Sequence, residues 1–353
     1  MALRPSTEFS IAGRRIGADE PPYVIAEMSG NHNGELARAF KLLEAAKQAG
    51  ADAVKIQTYT ADTITIDHDG PEFQVTKGLW AGRTLYDLYR EAHTPWEWHE
   101  PLFRRAAELG ITIFSSPFDP TAVALLARLG APAFKIASFE LIDLPLIRTA
   151  ARHKRPMILS TGLASLGEIA EAVAAVREEG APVLLLHCTS GYPTPPEECD
   201  LRTIPHLAAA FDVPTGLSDH TLGVAVPVAA VALGAVVIEK HFTLARADGG
   251  VDSEFSLEPD ELAAMIAACR TAHAALGRID YGLKPSERSA AAHRRSLYVV
   301  TDVPAGAVLT EAMVRSIRPG LGLAPKHLSE VLGRRAARDL KRGQPFDWTM
   351  LTP

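Results

Sequence analysis

Cysteine is scarce in this chain. Cys188, Cys199 and Cys269 are odd in number, far apart and without a C-x-x-C pair, which excludes a disulfide framework and offers no metal knuckle. The expectation is a reduced, cytoplasmic protein. Charge of one sign is also never concentrated: 36 basic and 42 acidic residues are spread along 353 positions, with no Lys/Arg tract and a net charge of −6. That argues against nucleic acid or anionic membrane as a partner, so any anionic ligand must be met by a local site. The N-terminal MALRPSTEFSIAGRRIG lacks the apolar stretch of an export signal. A membrane span is missing too. The uncharged run 222–238 falls short of the ~20 residues usually required. Within it Pro227 suits the first turn of a helix and Gly234 its end, which leaves AVVIEKH as a separate strand. No low-complexity tract and no internal repeat beyond an alternation of strand and helix is visible.

With 47% hydrophobic residues the chain can bury a full core. Short β-branched runs alternate with Ala/Leu/Glu-rich segments of helical period, the pattern of βα units around a parallel sheet. Eight strands are expected, at YVIAEM, DAVKIQT, TIFSS, PAFKIAS, PMILST, VLLLHCT, PTGLSD and AVVIEKH. Helices such as ELARAFKLLEAAKQAG and SLGEIAEAVAAVREEG lie between them, each running into a Gly suited to a left-handed cap. Eight such units predict a (β/α)8 TIM barrel of about 250 residues. A doubly wound open sheet is the alternative, but no Gly-x-Gly-x-x-Gly turn follows the first strand. FSIAGRRIG reads as a β-hairpin turning at Ala12 and Gly13, placed to plug the lower end of the barrel. After residue 283 the pattern changes to a polar linker and then short strands with Pro/Gly turns. The expected division is a barrel domain over 1–283, a linker over 284–295 and a small β-rich domain over 296–353.

In such a barrel, catalytic groups sit where strands end. Polar residues fall at all eight strand ends: Glu27; Lys55 and Gln57; Ser115 and Ser116; Lys135, Ser138 and Glu140; Ser160 and Thr161; Thr189 and Ser190; Ser218, Asp219 and His220; Lys240 and His241. Ser, Thr and Asp there also serve as helix caps. Lys55 and Lys135 resist so plain an account, because an ammonium inside an apolar strand costs several kcal/mol unless an anion or carboxylate meets it. Pairing with Glu27 or Glu140 is one answer, and a cradle for a ligand bearing carboxylate and phosphate is the better one. His220 and His241, on neighbouring strands beside Asp219 and Glu239, point to a divalent cation with open positions. Imidazole with oxygen suits Mn²⁺ or a similar ion, and the lack of a nearby thiolate argues against structural zinc. Alternation puts Glu239 and His241 on one face of their strand, with His241 toward the cavity and Lys240 packed outward or paired.

The segments AEMSGNHNG, ADAVKIQTYTADTITID, FSSPFD, FKIASFE, STGLAS, CTSGYPTP, GLSDHT and IEKHFT, in that order, resemble the sialic acid synthase family. RSLYVVTDVPAGAVLT and IRPGLGLAP are similar to its C-terminal antifreeze-like (SAF) domain. QTYTADTIT, GLWAGRTLYDLYREAHTPWEWH and SFELIDLPLI are most similar to the pseudaminic acid synthases within it. The resemblance implies a metal-assisted condensation of phosphoenolpyruvate with an N-acetylated amino sugar in its aldehyde form, giving a nine-carbon 2-keto acid and phosphate with C–O cleavage.

The favoured sugar is 2,4-diacetamido-2,4,6-trideoxy-L-altrose, and an N-acetylneuraminate or legionaminate synthase using a manno-configured sugar is the alternative. The implied phosphoenolpyruvate ligands are Lys55, Ser116, Lys135, Ser138, Ser160, Ser190 and Ser218. Glu27 and Glu140 are the implied catalytic carboxylates, with exchangeable roles. Tyr192, Asp252 and Arg318 match sugar-side positions, Arg318 reaching the neighbouring barrel of a domain-swapped homodimer. His220 and His241 hold the metal, Mn²⁺ by resemblance, with Mg²⁺ or Co²⁺ as alternatives. Ser190 stands where sialic acid synthases tend to have Asn. Gly30 stands where the pseudaminic type often has Ala, a change that leaves room. A metal-dependent aldolase would take pyruvate instead, and a non-catalytic carbohydrate-binding protein would need no such set of Lys, Glu and His.

Overall fold

The computed structural model describes residues 9–353; residues 1–8, part of the segment read above as lacking an export signal, lie outside the described residues. The chain divides into two compact units, the first ending at Gly277 and the second running Arg278–Pro353.

The first unit opens with strands β1 (Phe9–Ile11) and β2 (Arg14–Ile16), paired antiparallel with Phe9 opposite Ile16. Ala12 and Gly13 both have positive φ, the geometry of a tight two-residue hairpin turn. Eight strands follow: β3 (Tyr23–Glu27), β4 (Ala53–Thr58), β5 (Thr112–Pro117), β6 (Phe134–Ile136), β7 (Met157–Ser160), β8 (Val183–Cys188), β9 (Thr215–Asp219) and β10 (Val237–His241). They form a closed parallel barrel in sequence order, β10 pairing with β3. All eight expected strands are present, and the barrel replaces the open-sheet alternative.

Local chemistry sets the intervening helices. The helix Leu36–Ala49 ends at Gly50 with φ +91°, whose N–H returns to Lys47 O. The helix Leu166–Glu178 starts on a reciprocal Ser165/Glu168 capping box, and Gly180, with φ +73°, follows its end. The run suspected of membrane length resolves into the helix Ala225–Ala232, Gly234 at positive φ, and β10. No helix among the described residues is long and apolar enough to cross a membrane.

Strand alternation sorts the side chains. Val24, Ala26, Val54, Ile56, Ile113, Phe134, Ile136, Leu159, Leu185 and Ile238 pack outward against the helices. Ile25, Ala53, Phe114, Ala133, Ile158, Leu184, Leu186 and Val237 point inward, and Phe9, Ile11 and Ile16 of the hairpin join them. The lower barrel is therefore a dry apolar floor closed by the hairpin. One residue pair further along each strand, the inward positions turn polar.

The second unit pairs β11 (Ser296–Val299) with β12 (Val314–Ile317) antiparallel, around a core that includes Leu297, Val303, Leu309, Val331, Leu340 and Phe346.

Candidate active site

Above the apolar floor, two ammonium groups meet two carboxylates. Lys55 Nζ lies 2.7 Å from Glu27 Oε2 and 3.6 Å from Glu239 Oε1, and Lys135 Nζ donates to Glu239 Oε1 at 3.1 Å. All four side chains are almost completely buried. Burial opposes the charge on Glu239, but Lys135 and Lys55 outweigh it and hold the carboxyl down at about 2. Burial likewise opposes charge on Lys55, and Glu239 and Glu27 more than restore it. For Lys135 burial dominates and lowers the pKa, against Glu239. Four charges that sum to zero can stay out of water in this way.

Serine hydroxyls ring this cluster. Ser116 Oγ accepts from Lys55 at 3.3 Å, and Ser218 Oγ donates to Glu239 Oε1 at 3.0 Å. Ser160 Oγ is buried without a partner, as is one oxygen each of Glu140 and Glu239. Ser138 Oγ accepts from Gly162 N at 3.2 Å, and a Cβ on Gly162 would collide with the hydroxyls of both Ser138 and Ser190. Glycine is therefore what lets the β7 loop backbone lie between those two hydroxyls. Burial pushes the Glu140 carboxyl up to about 7, against its own backbone N–H and the attraction of Lys135.

On the other side of the barrel mouth His220 and His241 stand with ring centroids 5.3 Å apart. His220 Nδ1 is 3.0 Å from Thr189 O, so that nitrogen carries a proton; burial opposes charge on the ring, but Cys188 and Thr189 O outweigh it and raise its pKa. Burial first, then the positive groups His220 and Lys55, push His241 well below its ordinary value, leaving a neutral imidazole. Its Nδ1 is buried, has no hydrogen-bond partner, and lies 3.8 Å from Asp252 Oδ2. With His220 deprotonated at Nε2, the two imidazoles suit a divalent cation. Among the described residues no three His, Cys, Asp or Glu side chains converge on one point. Tyr192 covers His220 at 4.4 Å between centroids, and Phe255 covers His241 at 4.8 Å. Arg318, in the second unit, is exposed and has no hydrogen bond or ion pair to a described residue.

Several strand-end residues prove structural. Ser115 faces outward, donating to Ile56 O at 2.9 Å and bonded to Thr58. Thr161 donates to Leu186 O and Thr189 to Glu198 O. Asp219 accepts from Thr221 N at 3.0 Å and from Lys240 Nζ at 2.5 Å, while Lys240 also reaches Thr221 O. Lys240 is thus paired structurally and fully buried.

Cys188 and Ser29 join the site although the strand-end pattern did not include them. Cys188 follows Leu184 and Leu186 on the inward face of β8, and its Sγ lies 3.9 Å from His220 Nδ1. Burial raises its thiol, but the hydrogen bond and charge of His220 outweigh that, giving about 7. A thiol therefore does stand near the histidines, contrary to the expectation drawn from cysteine spacing. Alternation along VLLLHC was the available signal. Gln57 Nε2 donates to Glu27 at 3.0 Å and to Ser29 Oγ at 3.1 Å, and Ser29 donates to Asp252. This row connects the charged cluster to the Asp252 side. The room expected at Gly30 is already filled: a Cβ there would meet Val251 Cγ2 at 3.1 Å and Ala92 at 3.2 Å.

A closed parallel barrel with a buried Lys/Glu cluster, a serine rim and two histidines at its C-terminal mouth has the architecture and polar centre of a barrel enzyme. Residues 42–281 match the NeuB family model and residues 294–352 the SAF domain model. The chain belongs to the NeuB family. It is 45% identical over 329 residues to the pseudaminic acid synthase of Campylobacter jejuni, covering 93% of this chain and 96% of that one. It is 36% identical over 343 residues to the N,N'-diacetyllegionaminic acid synthase of Legionella pneumophila, with 94% and 95% covered. Among solved structures, the N-acetylneuraminic acid synthetase of Leptospira borgpetersenii superposes with a TM-score of 0.73 at 32% identity, covering 81% of this chain and 95% of that one.

The buried Lys240–Asp219 pair gives a stability test. Asp219→Asn leaves an ammonium uncompensated in the wall, and chemical denaturation should show a loss of about 3–5 kcal/mol. A loss under 1 kcal/mol would mean the pair is dispensable.

Proposed function

We propose that this chain condenses phosphoenolpyruvate with 2,4-diacetamido-2,4,6-trideoxy-L-altrose to a nine-carbon nonulosonic acid and phosphate, the pseudaminic acid synthase reaction. The reading rests on one arrangement, two buried ammonium groups under a hydroxyl rim, in a chain more similar to a pseudaminic than to a legionaminic acid synthase. A manno-configured acceptor is the second reading, supported by the legionaminic relative.

In this proposal Lys55 and Lys135 neutralise the donor's phosphate and carboxylate, with Ser116, Ser138, Ser160, Ser190 and Ser218 supplying hydrogen bonds. The donor replaces Glu239 in part as the lysines' anionic partner. His220 and His241 would hold a divalent cation, Mn²⁺ before Mg²⁺ or Co²⁺, which supplies Lewis-acid polarisation of the acceptor aldehyde. Carbon 3 of the donor attacks that aldehyde carbon, and positive charge develops at donor C2. Glu140 sits in its carboxylate form beside C2, stabilises that charge and takes a proton from the water that adds there. The former aldehyde oxygen takes a proton to become a hydroxyl, and collapse of the C2 adduct to the ketone breaks the C–O bond, the proton of its C2 hydroxyl leaving with the released phosphate. Glu27, fixed by Lys55 and Gln57, orients the acceptor hydroxyls, and Tyr192 and Asp252 border the acceptor. The unpaired, buried cysteines support a reducing, cytoplasmic setting.

A domain-swapped homodimer belongs to the same proposal, with Arg318 of one subunit serving the barrel of the other. Its support is the exposure of Phe139, Ile142, Leu163 and Leu222 in the segments after the strands and of Leu166 in the first turn of its helix, an apolar rim suited to cover.

Phosphate release should occur with phosphoenolpyruvate and Mn²⁺, stop on chelation, and favour the altrose over N-acetylmannosamine and 2,4-diacetamido-2,4,6-trideoxymannose. Preference for either manno sugar would displace the named acceptor, and pyruvate serving as donor would displace the reaction. Turnover should rise with pH through about 7 as Glu140 ionises, and Glu140→Gln should remove that limb with most of the rate, roughly 10²-fold or more. A falling limb there would make Glu140 an acid instead. Mixing Arg318→Ala subunits with Glu140→Gln subunits should restore activity in mixed dimers; no recovery in verified mixed dimers would reject the swap.

A further inference from the structure

The motif GLWAGRTLYDLYREA places a large side chain at the site that the mechanism above does not use. Between β4 and the helix Leu85–Ala92 the chain folds back on itself. Gln74 and Thr84 form an antiparallel bridge, Val75 N donates to Arg83 O at 2.9 Å, and Gly82 N donates to Val75 O at 2.8 Å. Residues 75–83 are thus a closed strap with Trp80 on it. The indole Nε1 donates to Val251 O at 2.7 Å, and the ring lies 5.6 Å from the Tyr192 ring. Val251 immediately precedes Asp252, and Tyr192 covers His220. Below, Gly30 and Ala92 close on Val251 so tightly that no Cβ fits at position 30 without displacement. Trp80 is therefore anchored to the Asp252 segment and stays half-buried. Its single donor is engaged, so what it offers a ligand is carbon surface.

We propose that Trp80 is the apolar wall of the acceptor subsite and sets the preference for a 6-deoxy sugar with two acetamido groups over a polyhydroxylated one. The inference rests on the acceptor side assigned above to Tyr192 and Asp252. Relative to a polyhydroxylated acceptor, such a sugar ends in a methyl where the other has a hydroxymethyl group, and its second acetamido group brings a further methyl where the other has a hydroxyl. An indole face covers a methyl well, but a hydroxyl against it loses water and gains no partner. One methyl-sized contact in an apolar pocket discriminates by about 10- to 200-fold.

Trp80→Ala should raise KM for the trideoxy diacetamido-altrose about tenfold, leave KM for phosphoenolpyruvate unchanged, and shrink the advantage of that sugar over N-acetylmannosamine about tenfold. Trp80→Phe should keep most of the advantage. Titrating the wild type with the altrose should alter tryptophan fluorescence, and Trp80→Phe should lose that change at an unaltered melting temperature. An unchanged sugar ratio in Trp80→Ala overturns the wall. If that variant does not fold, persistence of the full fluorescence change in Trp80→Phe overturns it. A wild type that releases no phosphate with any acceptor would remove the proposed function and this inference together; an active wild type with an unchanged ratio in the variant removes this inference alone.

Discussion

Two ammonium groups taken out of water govern this barrel. Lys55 and Lys135 rise from strand positions flanked on both sides by apolar residues, and each would cost several kcal/mol if left alone. Glu239 answers both, Glu27 answers Lys55, and the four charges cancel. Such a cluster is tolerable because it is neutral as a set. An incoming anion with carboxylate and phosphate groups can share the lysines without new charge being desolvated alone. The same burial lifts Glu140 to about 7, where a carboxyl can exchange a proton near neutrality.

The two-residue period of a strand is what separates scaffold from chemistry. On β10, Glu239 and His241 enter the barrel, while the intervening Lys240 enters the wall and meets Asp219. Both lysine environments are buried and ion-paired, yet one pair stabilises the shell and the other faces the mouth. Beneath them the hairpin β1–β2 and the inward Ile, Leu and Phe residues exclude water from the lower barrel. That dry floor keeps the local dielectric low, which strengthens the interactions between the charges above it.

The mouth is shaped by loops more than by strands. The β9 and β10 ends present His220 and His241, and the loops after β8 and β10 bring Tyr192, Asp252 and Phe255 over them. The strap carrying Trp80 arrives from the loop after β4 and joins that group through Val251. Strands therefore fix the charged centre, and longer-range loop contacts fix what surrounds an acceptor. Such a division lets one barrel chemistry serve different acceptors, because a change confined to loop residues leaves the lysine–carboxylate core in place.

The sequence by itself determined the eight strands, their order and the polar rim, because β-branched runs, helix caps and alternation are local signals. It also placed Lys55 and Lys135 inside apolar strands, where unpaired charge is costly, and so marked the centre of the site. Only the tertiary structure decided which partners they take: Lys55 keeps Glu27, one of the two carboxylates the sequence offers, but Glu239, more than a hundred positions away, bridges both lysines in place of Glu140. It likewise brought Cys188 beside His220 and Trp80 beside Tyr192, and sent Ser115, Thr161 and Asp219 into the scaffold. Which atoms meet depends on barrel closure and on loop paths, and neither leaves a periodic trace in the chain.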